Sequence, residues 1–281
     1  MVKIITDSTN DLSKELIDKL GIVVVPLAVN FSDEAYLDGV NLTVEDLYKK
    51  VSEKNELPKT SAISVAALIE LFEKYVNEGH EIIYMGISKQ MSSSYNNACL
   101  AAQEVAEDKI FVVDSMNLST GIGLLLLKAC KYRDNGDDAK TISEKLNRDN
   151  KLVLSQFAIE KMDYLHKGGR CSSVAKLFGT LLKIKPIIAV RDGKMHVQKK
   201  PIGKMQRALD EMIKQILADK DKLDTEHIFI THSLAFDYCD YIYQKLKPEL
   251  PGVDIITTVA GCVISSHCGK GTIGILYMVK E

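Results

Sequence analysis

The strongest constraint on the fold lies in the first half of the chain, where short β-branched runs alternate with segments whose apolar residues recur every three or four positions. Val2 to Thr6 reads as a buried strand. Leu12, Leu16, Ile17 and Leu20 mark the helix after it, which Asp11 or Ser13 can cap and Gly21 can end. Ile22 to Val25 forms the next strand, with extended chain through Pro26 to Asn30. Thr43, with Asp46 three residues on, opens a second helix. Ser64 opens a third, which carries Leu68, Leu71, Phe72 and Tyr75 on one face. Strands at 81–87 and 110–113 and helices at 92–105 and 118–133 continue the pattern. Such alternation predicts helices packed on a largely parallel sheet.

Past residue 150 the pattern changes. Strands are expected at 152–157, 186–191 and 194–199, and Asp192-Gly193 supplies a tight hairpin between the last two. A helix at 204–217, a strand at 228–231, a helix at 237–246 and strands near Ile255 and Ile275 follow. The chain is therefore read as α/β in two domains. Residues 1–150 form a largely parallel sheet flanked by helices, and residues 151–281 form an α+β domain with a mixed or antiparallel sheet. A length of 281 residues suffices for two cores.

Charge narrows the partners. Lys and Arg total 36 against 38 Asp and Glu, a net charge of -2, which gives no field to hold a polyanion, so nucleic acid is not expected. The N-terminus lacks the basic and apolar regions of a signal peptide, and the longest apolar run, near Ile122 to Leu127, falls far short of the roughly 20 residues that cross a bilayer. A cytoplasmic protein without stable membrane insertion is expected. The six cysteines show no C-x-x-C spacing. Cys262 and Cys268 flank His267 in what reads as a glycine-rich turn, so no metal or cofactor is expected.

Hydroxyls and cations gather at four places. Thr60 and Ser61 precede the Ser64 helix, and Ser88 to Ser94 follow a strand and open another helix. Free amides and small hydroxyls at helix mouths suit an anion, although capping alone accounts for part of each cluster. Gly168-Gly169-Arg170, followed by Ser172 and Ser173 as caps of a helix through Leu182, offers a guanidinium that can hold a carboxylate or phosphate bidentately, although a surface acid is the commoner partner of an arginine. Finally, Gly269-x-Gly271-x-x-Gly274 lacks the strand before it and the helix after it that a dinucleotide fingerprint requires, and His267 beside it is either an anion donor or a core histidine.

Taken in order, Asp7-Ser8-Thr9 with Asp11, Tyr36-x-Asp38-Gly39, Lys59-Thr60-Ser61, Met91-Ser92-x-x-Tyr95, Val113-Asp114-Ser115, Leu165-x-Lys167-Gly168-Gly169-Arg170, Leu182-x-Ile184-Lys185-Pro186 and His267-x-Gly269-x-Gly271 resemble the signatures of the DegV family of fatty-acid-binding proteins over essentially the whole chain. The resemblance implies a carrier, not a catalyst, that buries a long-chain, palmitate-like fatty acid between its domains. It places the carboxylate at Thr60 and Ser92, with Ser61, Ser93 and His267 as neighbours, and implies a separate fatty acid kinase as partner, for which Arg170 is the candidate contact. Two departures, Lys89 in the serine cluster and Lys270 between the final glycines, put a cation near the head group. Candidates for the tunnel wall are Leu124 to Leu127, Phe157, Ile159, Leu177, Phe178, Leu181 and Leu182. The alternatives are a binder of another small anion and a serine esterase using Ser92 and His267, the latter without a Gly-x-Ser-x-Gly elbow.

Overall fold

A computed structural model of the chain describes residues 1–171 and 184–280. Four strands, β1 (Val2–Asp7), β2 (Val23–Val25), β6 (Glu81–Gly86) and β7 (Ile110–Asp114), pair in the order β2-β1-β6-β7, and every pairing is parallel. Helices α1 (Lys14–Leu20), α3 (Val65–Asn77), α4 (Ser94–Val105), α5 (Thr120–Asp134) and α6 (Ala139–Asp149) connect or flank them. Local chemistry sets the boundaries. Ser13, Thr43, Ser64 and Asp138 each accept a backbone N–H as N-caps, for α1, for α2 (Val44–Lys54), for α3 and for α6. Gly21 closes α1 in the left-handed region, where a side chain would be strained.

The second sheet has six strands: β8 (Val153–Ala158), β9 (Ile187–Arg191), β10 (Lys194–Lys199), β11 (Leu223–His232), β12 (Asp254–Val259) and β13 (Ile273–Val279). They run in the order β10-β9-β8-β13-β11-β12, antiparallel except for the β11–β12 pair. The β9–β10 turn is made by Asp192 and Gly193, both at positive φ as a two-residue hairpin requires. After the short α7 (Asp163–Gly168), helices α8 (Met205–Ala218) and α9 (Phe236–Leu246) cover one face of this sheet, burying Leu209, Met212 and Ile242 against Ile228, Ile230 and Ile275. The fold is thus α/β, with a parallel sheet followed by a mixed one.

Helix α5 is packed between the two sheets. Its Ile122, Leu124, Leu125 and Leu126 meet Ile4, Ile83 and Val113 from the parallel sheet and Phe229, Leu276 and Met278 from the mixed sheet. The leucine run expected to line a tunnel is therefore the seam that joins the two layers.

Two further elements were not expected. Strands β3 (Ala28–Asn30), β4 (Ala35–Leu37) and β5 (Lys59–Ser61) form a small antiparallel sheet. Cys262–Cys268, read above as a glycine-rich turn, is a buried helix, α10, whose Cys262 and Val263 pack with the N-terminal half. The helix expected from Ser172 to Leu182, with its tunnel candidates Leu177, Phe178, Leu181 and Leu182, lies outside the described residues.

Candidate functional site

Thr60 and Ser61 sit on edge strand β5, opposite Val29 and Ala28, and not in a loop at a helix mouth. Ser64 alone caps α3. The chain between β5 and α3 is tied to the serine cluster at its next residues: the Ile63 amide donates to Ser94 Oγ at 3.4 Å, and Asn97 Nδ2 donates to the Ile63 carbonyl at 2.7 Å. These bonds hold the Thr60 strand beside the start of α4. There the Ser94 amide donates to Ser92 Oγ at 3.2 Å, while Ser93, at the N-cap position, makes no capping bond with its side chain.

The third contributor is α10. Thr60 Oγ1 and His267 Nε2 lie 2.8 Å apart. The imidazole is largely buried, and loss of hydration together with the nearby Arg170 charge depresses its pKa to about 4, so it is neutral at physiological pH. Its Nδ1 finds no hydrogen-bond partner among the described residues, and it faces Gly168 so closely that a Cβ there would fall 2.6 Å away. A buried N–H without an acceptor costs more than a bare lone pair, so the tautomer that fits carries its proton on Nε2. His267 then donates to Thr60 Oγ1. The Thr60 proton is left free to donate outward.

Thr60, Ser61, Ser92, Ser93, His267 and Arg170 all line one cavity of about 610 Å³. The size suits a small-molecule ligand. Its remaining walls come from both halves of the chain: Leu27, Ile87, Met91 and Leu118 from the first, Met195, Val263, Ile264 and Cys268 from the second. Met195 is carried in by the β9–β10 hairpin, whose tip packs on the serine loop; a Cβ at Gly193 would come within 2.4 Å of Ser88 Oγ. A smaller void of about 30 Å³ shares Leu118, Ile264 and Cys268 with the cavity and is lined further by Phe157, Ala260 and Leu276 together with Ser119, Thr231, Ser233 and Thr272. Apolar side chains thus continue inward past the residues common to both, with hydroxyls among them.

Among the described residues the lining holds two cations, Lys89 and Arg170, and no carboxylate. Arg170 folds back so that Nη1 donates to the Gly168 carbonyl at 2.7 Å. Lys89 lies at the rim, half-exposed, 3.6 Å from Asp114 Oδ2 and over the Tyr95 ring. Lys270, expected near the head group, does not line this cavity. It borders a separate concavity of about 420 Å³ with Glu160, Lys161 and Phe236, because Gly269 and Gly271 turn the chain away after α10. Nor do Ser92 and His267 pair as nucleophile and base: Ser92 is hydrogen-bonded to Ser94 and His267 to Thr60.

Sequence reading missed the supports of α10. Gly261 at its N-cap has no side chain to offer, and aspartates from the distant N-terminal half take that place. Asp11 Oδ1 accepts from the Gly261 amide at 2.8 Å, and Asp38 accepts from Cys262 at 2.7 Å and Val263 at 3.2 Å. Burial raises the pKa of Asp7 and Asp38, and that of Asp11 to about 8, against the hydrogen bonds each receives. The missed wall residues, Leu27 and Met195 among them, look like ordinary core positions in the sequence.

The sequence profile of the DegV family matches residues 1–280. A DegV domain-containing protein of Clostridium perfringens is 35% identical over 281 residues, covering 99% of this chain and 98% of the relative. Among solved structures, the fatty-acid-binding DegV family protein of Thermus thermophilus superposes with a TM-score of 0.93 at 28% identity, covering 99% of each chain. DegV of Bacillus subtilis, described as a fatty acid binding protein, gives 0.88 at 27% and covers 99% of each. A stearic-acid-binding protein of Eubacterium ventriosum gives 0.88 at 26%, covering 100% of this chain and 99% of its own. The chain belongs to the DegV family.

Proposed function

We propose that the protein binds one long-chain fatty acid in the 610 Å³ cavity, with the carboxylate at Thr60, Ser92 and Ser93 and the tail directed inward past Leu118 and Ile264. The observation that carries this reading is the lining of one cavity, which brings the hydroxyls of Thr60, Ser92 and Ser93 and the cations Lys89 and Arg170 together with the apolar side chains of Leu118, Met195 and Ile264. The fatty acids named for the relatives above support the same ligand class. Ser61, whose hydroxyl accepts from Asn30 Nδ2 at 2.9 Å, keeps its proton and can contribute on the same terms as Thr60.

The energetics suit a carrier. Burying a chain of about 14 methylenes offers on the order of 11 kcal/mol before association and ordering costs, which take a large share. The carboxylate must keep hydrogen bonds, since a stranded buried charge costs several kcal/mol. Thr60, relieved of its duty to His267 by the Nε2 proton, supplies one, and the serine cluster supplies others. Neutral donors satisfy the anion without the grip of a buried ion pair, and cargo can leave.

On this reading the protein acts in the cytoplasm as a presenting subunit and not as the catalyst. A separate fatty acid kinase would phosphorylate the exposed carboxylate, and Arg170 at the mouth would meet that partner or the head group. Native mass spectrometry of the gently purified protein tests the ligand class. A mass increment of one long-chain acid is expected; a protein that carries no acid, and takes none up from added palmitate, contradicts the proposal.

A further inference from the structure

Helix α10 has only seven residues, yet it presents Val263, Ile264, His267 and Cys268 to the cavity. A helix this short is not self-supporting, so its position is set by its packing and its hydrogen bonds: Ser265 Oγ lies 2.7 Å from Ser233 Oγ at its middle, and both ends are gripped. At the C-terminal end that grip is the Thr60–His267 bond. At the N-terminal end it is a pair of aspartates more than two hundred residues away in the chain. Asp38 spans two successive amides, Cys262 and Val263, while Asp11 takes the Gly261 amide with one oxygen and the Ser119 hydroxyl with the other. Both acids are buried, at 4% and 6% exposure, so the grip is shielded from water and salt.

Gly261 makes this possible. A Cβ there would lie 3.1 and 3.2 Å from the Asp38 oxygens and 3.3 Å from Asp11 Oδ1. Cys262 adds a tie of its own, donating its thiol to the Leu42 carbonyl at 3.3 Å. From Cys262 to His267 the helix rises only about 7.5 Å. A shift of the first turn is therefore transmitted to the imidazole almost undiminished, and hydrogen bonds tolerate little of it.

We propose that Asp38, seconded by Asp11, is a positioning residue of the acid-binding site: by holding the first turn of α10 it sets the depth at which His267 meets Thr60. The inference rests on the head-group reading above and assigns a role to a part of the Tyr36-x-Asp38-Gly39 motif that touches no part of the cavity.

The test is a double-mutant cycle on the full chain, reading palmitate affinity together with the ¹⁵N resonances of the His267 ring, with thermal unfolding to establish that each variant is folded. Asp38→Ala is expected to weaken binding about tenfold, as for loss of a strong cap. It should also shift the Nε2 resonance, as the bond to Thr60 lengthens. Asp38→Asn, which keeps one acceptor oxygen, should recover part of both effects. In a His267→Ala background the Asp38→Ala penalty should vanish, because the group it acts through is gone. Should Asp38→Ala fail to fold, Asp38→Asn carries the same cycle. Wild-type affinity in a folded Asp38 variant, or an equal penalty with and without His267, overturns the proposal while leaving the head-group reading intact. If His267→Ala by itself binds palmitate like the wild type, this inference falls, while the head-group reading, which rests on Thr60, Ser92 and Ser93, stands.

Discussion

Thr60 Oγ1 and His267 Nε2 are 207 residues apart in the chain and 2.8 Å apart in space. One sits on an edge strand of the N-terminal half, the other on a short helix inside the C-terminal half. Their contact joins the two halves at the lip of the cavity and leaves the threonine proton available to a ligand.

Thr60→Val keeps the shape of the side chain and removes that donor. Thr60 is only half-buried, on a three-residue edge strand, so the fold should persist. Palmitate binding, followed by calorimetry, should weaken by about 1 to 3 kcal/mol, the cost of leaving a buried acceptor one hydrogen bond short. Ser92→Ala should act in the same direction. Unchanged affinity in both variants would mean that the head group lies elsewhere.

The depressed pKa of His267 makes stability depend on acid. Its folded value of about 4 lies below the ordinary 6.5, so between these pH values the unfolded chain holds a proton that the folded chain refuses. Stability should therefore fall as pH drops through this window and level off below it. The effect is on the order of 3 kcal/mol in total. Urea unfolding of wild type against His267→Gln isolates the contribution: the difference between them should be pH-independent above 6.5 and should shift in favour of the variant as pH falls toward 4. A constant difference across the window would contradict the burial of a neutral imidazole.

Gly168 has no room for a side chain. Its Cβ would fall 2.6 Å from His267 Nδ1, and the ring cannot retreat without leaving Thr60. Gly168→Ala should cost about 1 to 3 kcal/mol of stability, as for other overpacked sites, and should weaken palmitate binding as well. Both are readable from one thermal melt performed with and without ligand. A variant as stable and as tightly binding as the wild type would show that the loop yields instead.

Arg170 is exposed, and its visible hydrogen bond is to the Gly168 carbonyl. Arg170→Ala should bind palmitate within about threefold of wild type, the scale of a surface electrostatic contact. It should lower acyl-phosphate formation when a fatty acid kinase is supplied. Collapse of lipid binding would instead make Arg170 a principal ligand of the carboxylate.

Much of this was legible in the sequence because it is local. Strand and helix periodicity gave the parallel layer, caps such as Ser13, Thr43 and Ser64 fixed helix starts, and Asp192-Gly193 announced its hairpin. The cluster of hydroxyls at Ser88 to Ser94 was visible as an excess beyond what one cap requires. Helix α10 was not, since its framing glycines mimic a turn and its caps, Asp11 and Asp38, come from across the molecule. The leucines of α5 misled for a similar reason: an apolar run records burial but not whether the neighbour is a ligand or a second sheet. Lys270 was misplaced because positive φ at Gly269 and Gly271 decides its direction, and a sequence does not print φ.

The most direct test of the account is a crystal structure of the palmitate complex, read for the position of the carboxylate. The account requires one carboxylate oxygen within about 3.2 Å of Thr60 Oγ1, the other among Ser92 and Ser93, and the tail running past Leu118 and Ile264. A head group seated away from Thr60, or a chain inserted carboxylate first toward Phe157 and Leu276, would contradict it.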